Sequence, residues 1–482
     1  MSKIKYLANN IALFSISNFV SKILVFLLVP LYTNVLTTRE YGIADVFQVT
    51  LLLLVPALTI NIGEGALRFG IEYRDRRGPI LHTGLKYTLR AAIAVMMVCA
   101  CAMPFVTEEI RWYLLLFILL FLTNALYEFL VLYFQGSELV RIVVAGSIFS
   151  TFLMILCNLF FLLVIKIGLN GYLFSQMIAY GTAALLMLLL GRRIQGRESD
   201  FAIGSDRELE HEMLSYGKPL ILYSTGSWIN NAADRYLVLY ICGASVNGLY
   251  GVSYKIPAIL MVFQRIFAQA WQMSATKSYK DQESSAFFSA MYRSYHTFMV
   301  LGCSALILVL KPVAAFMFRK DFYEAWTTVP PLLISVIFGA LTGFLGSICL
   351  AHKDSKSMGI ATGCGALLNI ALNLLLIPRM QGMGAAIATA VSYFTMYLAA
   401  LLITRKYTKI RSAFVRDYLA YALLVFEAAE MILDPSGLRS ALLSAAVVLL
   451  LVIMHRKETA MIFTKLKGML PQRRAEEIQH GE

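Results

Sequence analysis

Long apolar stretches recur along almost the whole chain, and this pattern limits its fold more than any motif does. They fall at about 10–36, 42–66, 81–106, 111–134, 142–165, 171–191, 214–242, 247–274, 295–318, 325–351, 357–378, 383–404, 414–433 and 438–455. Each can cross about 30 Å of hydrocarbon at a rise of about 1.5 Å per residue. The expectation is an all-α integral membrane protein of about 14 transmembrane helices. Composition agrees: 15% of residues are charged, where a soluble domain carries about 25%. Mean hydropathy is +0.69, which excludes a soluble enzyme. The first apolar run is too long for a signal-peptide core and lacks a small-residue cleavage site, so it reads as an uncleaved first span.

The chain also repeats itself. From Ala366 to Tyr393 an apolar helix carries Asn369 and Asn373 on one face, stops at Ile377-Pro378, turns, and reopens at Gly384. A degenerate copy runs from Met154 to Tyr180, with Asn158 for Asn373, Lys166 for Arg379 and Gly171 for Gly384. A second echo pairs Leu31-Tyr32 and Tyr41-Gly42 with Leu239-Tyr240 and Tyr250-Gly251. Two echoes at nearly one offset indicate the doubling of a unit of about two hundred residues, a helical membrane half repeated in parallel. The organisation expected is an amino-terminal lobe over 1–191 (spans 1–6), a cytoplasmic linker over 192–213, and a carboxy-terminal lobe over 214–406 (spans 7–12). Spans 13 and 14 follow over 407–455, and a cytoplasmic tail over 456–482.

The net charge of +13 is not a nucleic-acid signature, because its placement follows the membrane. With the amino terminus inside, most Lys and Arg fall in inner loops, including Arg74, Arg76, Arg77, Arg192, Arg193, Arg405, Lys406 and the tail from Arg456. That bias places both termini in the cytoplasm. In the linker, Ser205 and Glu208 have the form of a capping box that opens a short surface helix before span 7. Basic and apolar residues alternate in the tail (Lys465, Lys467, Arg473, Arg474), as in a helix lying on an anionic leaflet or in a solvated end. The seven cysteines all sit in apolar stretches, as packing thiols do. No Cys or His spacing matches a zinc site, and no metal or cofactor is expected.

Charges inside the spans are the informative residues, since each costs at least about 2.5–3.5 kcal/mol at the bilayer centre. Lys22 and Arg265 lie deepest, in spans 1 and 8. Lys255 and Arg235 lie in the outer parts of spans 8 and 7, and Arg90 is placed to snorkel toward the inner surface. These cations in a helical bundle suit an anionic ligand. The plainer reading is neutralisation: Asp234 by its neighbour Arg235, Glu64 by Arg68 a turn away, and Asp45 or Glu128 by partners across helices. Asn158, Asn369 and Asn373 fit interhelical hydrogen bonding. Pro30, Pro56 and Pro257 interrupt spans 1, 2 and 8. No nucleophile–base set, paired carboxylates or phosphate loop occurs in a polar, structured context, so no catalytic residue is expected.

Several segments together resemble a known family. Leu368-Asn369 through Asn373 to Pro378, then Gly384 to Thr389, is similar to the signature of polysaccharide-biosynthesis exporters. These are Wzx-type oligosaccharide flippases of the MOP (multidrug/oligosaccharidyl-lipid/polysaccharide) superfamily. Met213 to Leu220, Trp228 and Asp234-Arg235 resemble the opening of that family's second lobe, and Tyr250 to Lys255 its eighth span. Val29 to Tyr32, Glu40 to Gly42 and Tyr133 to Gly136 fit as well. The resemblance covers spans 1 to 12. It implies two six-helix lobes around a central cavity open alternately to either side, with spans 13 and 14 appended, in the cytoplasmic membrane of a prokaryote. The implied substrate is a polyprenyl-diphosphate-linked glycan handled among membrane lipids, with a polysaccharide polymerase and glycosyltransferases as companions. Lys22, Arg265, Arg235, Lys255 and Arg90 suit a diphosphate. Asp45, Glu64, Glu128 and Asp234 are left for ion pairs or a coupling cation.

Lipid II flippases share the architecture and are the nearest alternative. A multidrug antiporter of the superfamily is expected to carry a span 1 carboxylate, where this chain has Lys22. A membrane polymerase or ligase needs a long outer loop, and the outer loops here are short.

Overall fold

Apart from short turns and breaks, the described residues are helical and contain no strand, as a chain that must satisfy its backbone without water requires. The structure is a computed structural model and describes residues 26–195, 206–278, 284–352, 354–410, 413–434 and 437–461. In chain order the helices are α1 (Val29–Val35), α2 (Thr38–Leu58), α3 (Ile62–Glu72), α4 (Arg77–Ala102), α5 (Glu108–Gly136), α6 (Val140–Leu159), α7 (Gly168–Gln195) and α8 (Arg207–Cys242). There follow α9 (Ala244–Ser253), α10 (Pro257–Ser278), α11 (Ser284–Leu308), α12 (Leu310–Met317), α13 (Val329–Ala351), α14 (Ser355–Thr404), α15 (Phe414–Leu433) and α16 (Leu438–Met454).

Among the described residues seven helices are long and apolar enough to cross a membrane, or nine if each of two bent pairs is one span. Val98 in α4 is 70% exposed, Leu222 in α8 80% and Val415 in α15 85%, part of an apolar coat that suits lipid. Three expected spans are broken. Span 2 divides after Pro56, where Ile60 and Asn61 turn left-handed (φ 57° and 50°) before α3 begins. Span 8 bends by 50° between α9 and α10, where Pro257 restarts the helix, and span 9 bends by 64° between α11 and α12. Span 7 is more continuous than expected. The capping residue is Asp206, which accepts the Leu209 N–H at 3.2 Å, and α8 then runs unbroken for 36 residues with no separate surface helix. Ser205 lies outside the described residues, as do the tail residues Lys465, Lys467, Arg473 and Arg474.

The turn of the repeat recurs in the backbone. In the first copy α6 relaxes into a π turn over Phe160–Ile165, and Lys166 and Gly168 take φ of 60° and 52°. In the second, α14 runs through Pro378 and breaks at Gln381, whose φ is 51°. Gly168 and Gln381 each stand three residues before the matched glycines Gly171 and Gly384. One left-handed position is thus kept while its residue type is not. The asparagines act largely within their own turn. Asn158 donates to the Met154 carbonyl at 2.7 Å, and Asn373 to Asn369 at 2.9 Å; Asn369 reaches Thr389 beyond the break at 3.4 Å.

Packing divides the chain into two compact units, residues 1–251 with 319–322, and residues 252–318 with 323–482. In the first, α2 lies so close to α9 that a Cβ on Gly42 would collide with the Ala244 carbonyl, and one on Gly248 with that of Thr38. Glu40 closes a capping box with Thr37 and also accepts the Leu169 N–H at 3.2 Å, fixing the start of α7 against α2. The second unit is built on α13, apolar all round and almost wholly buried. Trp271 stacks on Phe344 at 4.1 Å and donates its indole N–H to the Phe344 carbonyl at 2.9 Å.

Candidate functional site

The break in span 2 opens a cavity of about 470 Å³ in the first unit, walled by α2, α3, α5 and α8. Its origin is local. Pro56 has no N–H to give the Leu52 carbonyl, so the helix loosens there and turns left-handed at Ile60 and Asn61. Helix α8 seals the break from behind because Gly217 leaves room for the Ile60 carbonyl, which a Cβ would strike. Irregular backbone at membrane depth is tolerated where it lines a cavity in this way. Ser224 donates to Asn61 Oδ1 at 3.2 Å, and Trp228 Nε1 donates to the Val49 carbonyl at 2.6 Å. The wall is mixed: Leu52, Val55, Phe129 and Leu132 are apolar, while Thr59, Asn61, Glu64, Glu128, Ser224 and Arg235 are polar.

The charges are arranged by helix packing. Arg235 Nη1 meets Asp45 Oδ1 at 2.8 Å, with 14% and 8% of the two side chains exposed. Asp234 accepts the Arg235 backbone N–H at 2.9 Å and the Tyr250 hydroxyl. Neighbours in sequence thus divide their work: Arg235 pairs with α2, and Asp234 ties α8 to α9. Glu64 and Glu128 are exposed on the cavity wall. Among the described residues this cavity therefore carries one guanidinium, already paired, and two carboxylates.

Of the residues singled out in the sequence, the structure gathers Arg235, Asp45, Glu64 and Glu128 here, with Asp234 beside them. Arg90 is exposed on α4, its guanidinium 5.0 Å from the centre of the Tyr87 ring. Lys255 is half-buried at the break between α9 and α10, and Arg265 is exposed on α10; both belong to the second unit. Lys22 lies outside the described residues. Arg68 does not serve Glu64: its ion-pair partner is Glu72, at 3.6 Å. A helix offers two neighbours a turn away, and Glu64 instead opens to the cavity. Asn61, Ser224 and Thr59 went unnoticed in the sequence, where the one available signal was an asparagine a few residues after a proline inside an apolar run.

The arrangement is a cavity of mixed polarity in an apolar helical body, and its fold has solved counterparts. The inward-closed lipid II flippase MurJ aligns with a TM-score of 0.66 and 16% identity, over 92% of this chain and 99% of that one. An inward-facing multidrug resistance MATE transporter of the MOP superfamily aligns at 0.67 and 12%, over 83% and 96%. A MOP transporter from Pyrococcus furiosus aligns at 0.56 and 12%, over 83% and 96%. Comparison with curated protein sequences finds no match. The fold is the one these flippase and transporter structures share. The family model described as polysaccharide biosynthesis protein matches residues 7–274, more than half of the chain. The chain belongs to that family, in agreement with the Wzx-type resemblance of its motifs.

Proposed function

We propose that this flippase-fold protein carries a polyprenyl-diphosphate-linked oligosaccharide from the inner to the outer leaflet of the cytoplasmic membrane, for cell-surface polysaccharide assembly. Membership of the polysaccharide biosynthesis family supports the substrate class. The observation that carries the reading is Arg235, a guanidinium at the wall of a cavity of mixed polarity within an apolar helical body. A guanidinium presents a planar fork of donors matched to phosphate oxygens, and in a partly dry site such bonds strengthen. In this reading Lys22, Arg265, Lys255 and Arg90 complete the path for the diphosphate as two six-helix lobes open alternately. Glu64 and Glu128 are then the positions for a coupling cation. The termini lie in the cytoplasm, and polymerase and glycosyltransferases work on either side of the step.

Depletion in the native host tests this. The expected result is accumulation of the lipid-linked oligosaccharide with its sugar on the inner face, and loss of surface glycan. Accumulation of lipid II with normal surface glycan would reassign the protein to the peptidoglycan precursor. A change in drug resistance alone would point to an antiporter.

A further inference from the structure

We infer that His296, Asp417 and His455 form a binding site for a zinc-class divalent cation, which clamps α11, α15 and α16 together at one end of the second unit. His296 lies at the middle of α11, Asp417 in the first turn of α15, and His455 directly after α16. Helices α11, α15 and α16 pack on one another, so three remote stretches of chain deliver their side chains to one point. One ligand atom from each residue lies within 4.8 Å of the other two, and His296 Nδ1 is 3.9 Å from Asp417 Oδ1. Ligand atoms about 2.0–2.1 Å from a zinc ion stand about 3.4 Å apart, so modest rotation of the side chains closes the site.

The second observation is burial without partners. His296 and His455 are fully buried and Asp417 is 3% exposed. Among the described residues neither ring nitrogen of His296 has a hydrogen-bond partner, nor does Nε2 of His455, whose Nδ1 meets the Leu451 carbonyl at 3.0 Å. A buried imidazole with both nitrogens unpaired is costly, and a polar group that deeply placed ordinarily has a hydrogen-bond partner. His455 is also prepared in the way metal-binding histidines are, with one nitrogen on a backbone carbonyl and the other left for the ion. Two imidazoles and one carboxylate suit zinc or a neighbouring first-row cation, whereas calcium and magnesium prefer oxygen alone.

The surroundings set the terms. Tyr292 and Tyr421 flank the His296 ring, at 5.9 Å and 5.4 Å between centroids. Arg416 holds Asp417 at 3.3 Å and Glu458 at 2.9 Å, and Arg293 stands one turn before His296. These guanidiniums oppose a dication, so binding requires Asp417 to turn from Arg416, which keeps its bond to Glu458. No motif search finds this set, because each ligand is alone in its own segment.

The test uses full-length protein in detergent with its affinity tag removed, and zinc ion as the probe. After dialysis against zinc and desalting, elemental analysis is expected to find about one zinc per chain. Saturating zinc is expected to raise Tm by about 5 °C, reversed by a chelator. His296→Gln and His455→Gln should each lose both effects, while His211→Gln, on an exposed histidine elsewhere, retains them. Should the cluster variants fail to fold, cobalt-loaded native protein decides: a tetrahedral visible spectrum abolished by zinc supports the site. Zinc below about 0.1 per chain, or equal binding by the His296 variant, overturns the proposal.

Discussion

Two polar clusters, one in each unit, are satisfied in opposite ways. Around the cavity of the first unit, polar groups find partners on other helices: Asp45 for Arg235, the Tyr250 hydroxyl for Asp234, Gln176 for Gln48 at 2.6 Å. In the second, the cluster of His296, Asp417 and His455 leaves ring nitrogens without a hydrogen bond among the described residues. Partnered groups fix the packing of α2, α8 and α9 around a cavity, so their loss should show first as loss of structure. Unpartnered groups cost stability until something binds them. Whether a buried polar residue locks the fold or awaits a ligand is decided by what neighbouring helices supply, and the type of residue does not reveal it.

The comparison breaks most visibly at Asp45. Asp45→Ala leaves Arg235 buried without its carboxylate, a loss on the order of 3–5 kcal/mol, and the protein should barely accumulate in membranes. Asp45→Asn with Arg235→Gln keeps a hydrogen bond and removes both charges, and should restore most of the yield by immunoblot. Normal accumulation of Asp45→Ala would remove the pair from the framework. Next come the cavity carboxylates. Glu64→Gln and Glu128→Gln, on exposed side chains, should leave Tm within about 1 °C and change transport only. A collapse in Tm would make them framework groups like Asp45.

The repeat turns sharpen the contrast at smaller scale. Gly168→Ala forces a left-handed φ on a side chain and should cost about 1–2 kcal/mol. Gln381→Gly relieves a positive φ in the second copy and should be neutral or stabilising by up to about 1 kcal/mol. Thermal unfolding of the two variants with opposite signs would establish that the turns are equivalent.

The smallest effect belongs to Asp354, between α13 and α14. Its carboxylate caps α14 at Ser357 N–H (3.1 Å) and accepts the Tyr407 hydroxyl at 2.7 Å, and these bonds hold its pKa below the usual carboxylate value. A depressed folded pKa means that the stabilisation is full above the unfolded value near about 3.9 and is lost as pH falls through the folded one. Asp354→Asn should lower Tm slightly at pH 7, and the gap should close in acid below the folded pKa. A gap independent of pH would assign the effect to packing.

Much of the fold was legible in the sequence because lipid simplifies the reading: apolar length announces helices, and the repeat shows itself in Asn158 and Asn373, Gly171 and Gly384. The site was legible in part. Depth and charge located Arg235 and Asp45, but Arg235 sits beside Asp234 in sequence and pairs across the unit, which only packing decides. Asn61 and Ser224 meet through a backbone break whose left-handed turn Pro56 alone does not specify. His296, Asp417 and His455 are isolated in the chain and gathered only by the association of three helices.

The central claim is that a lipid-linked diphosphate crosses this protein with Arg235 contributing to its path. Its most direct test is translocation of a polyprenyl-diphosphate oligosaccharide in vesicles holding the purified protein, read by access of a glycan-cleaving enzyme added outside. Vesicles with the native protein should move substrate well above empty ones. The rate should rise when a potassium–valinomycin potential makes the donor side negative, since about two charges crossing 100 mV are worth about 4–5 kcal/mol. The Asp45→Asn, Arg235→Gln protein, folded but uncharged at this pair, should lose at least about tenfold, or about 1.4 kcal/mol. Native rates equal to empty vesicles, or an unchanged rate in the uncharged variant, would contradict the account.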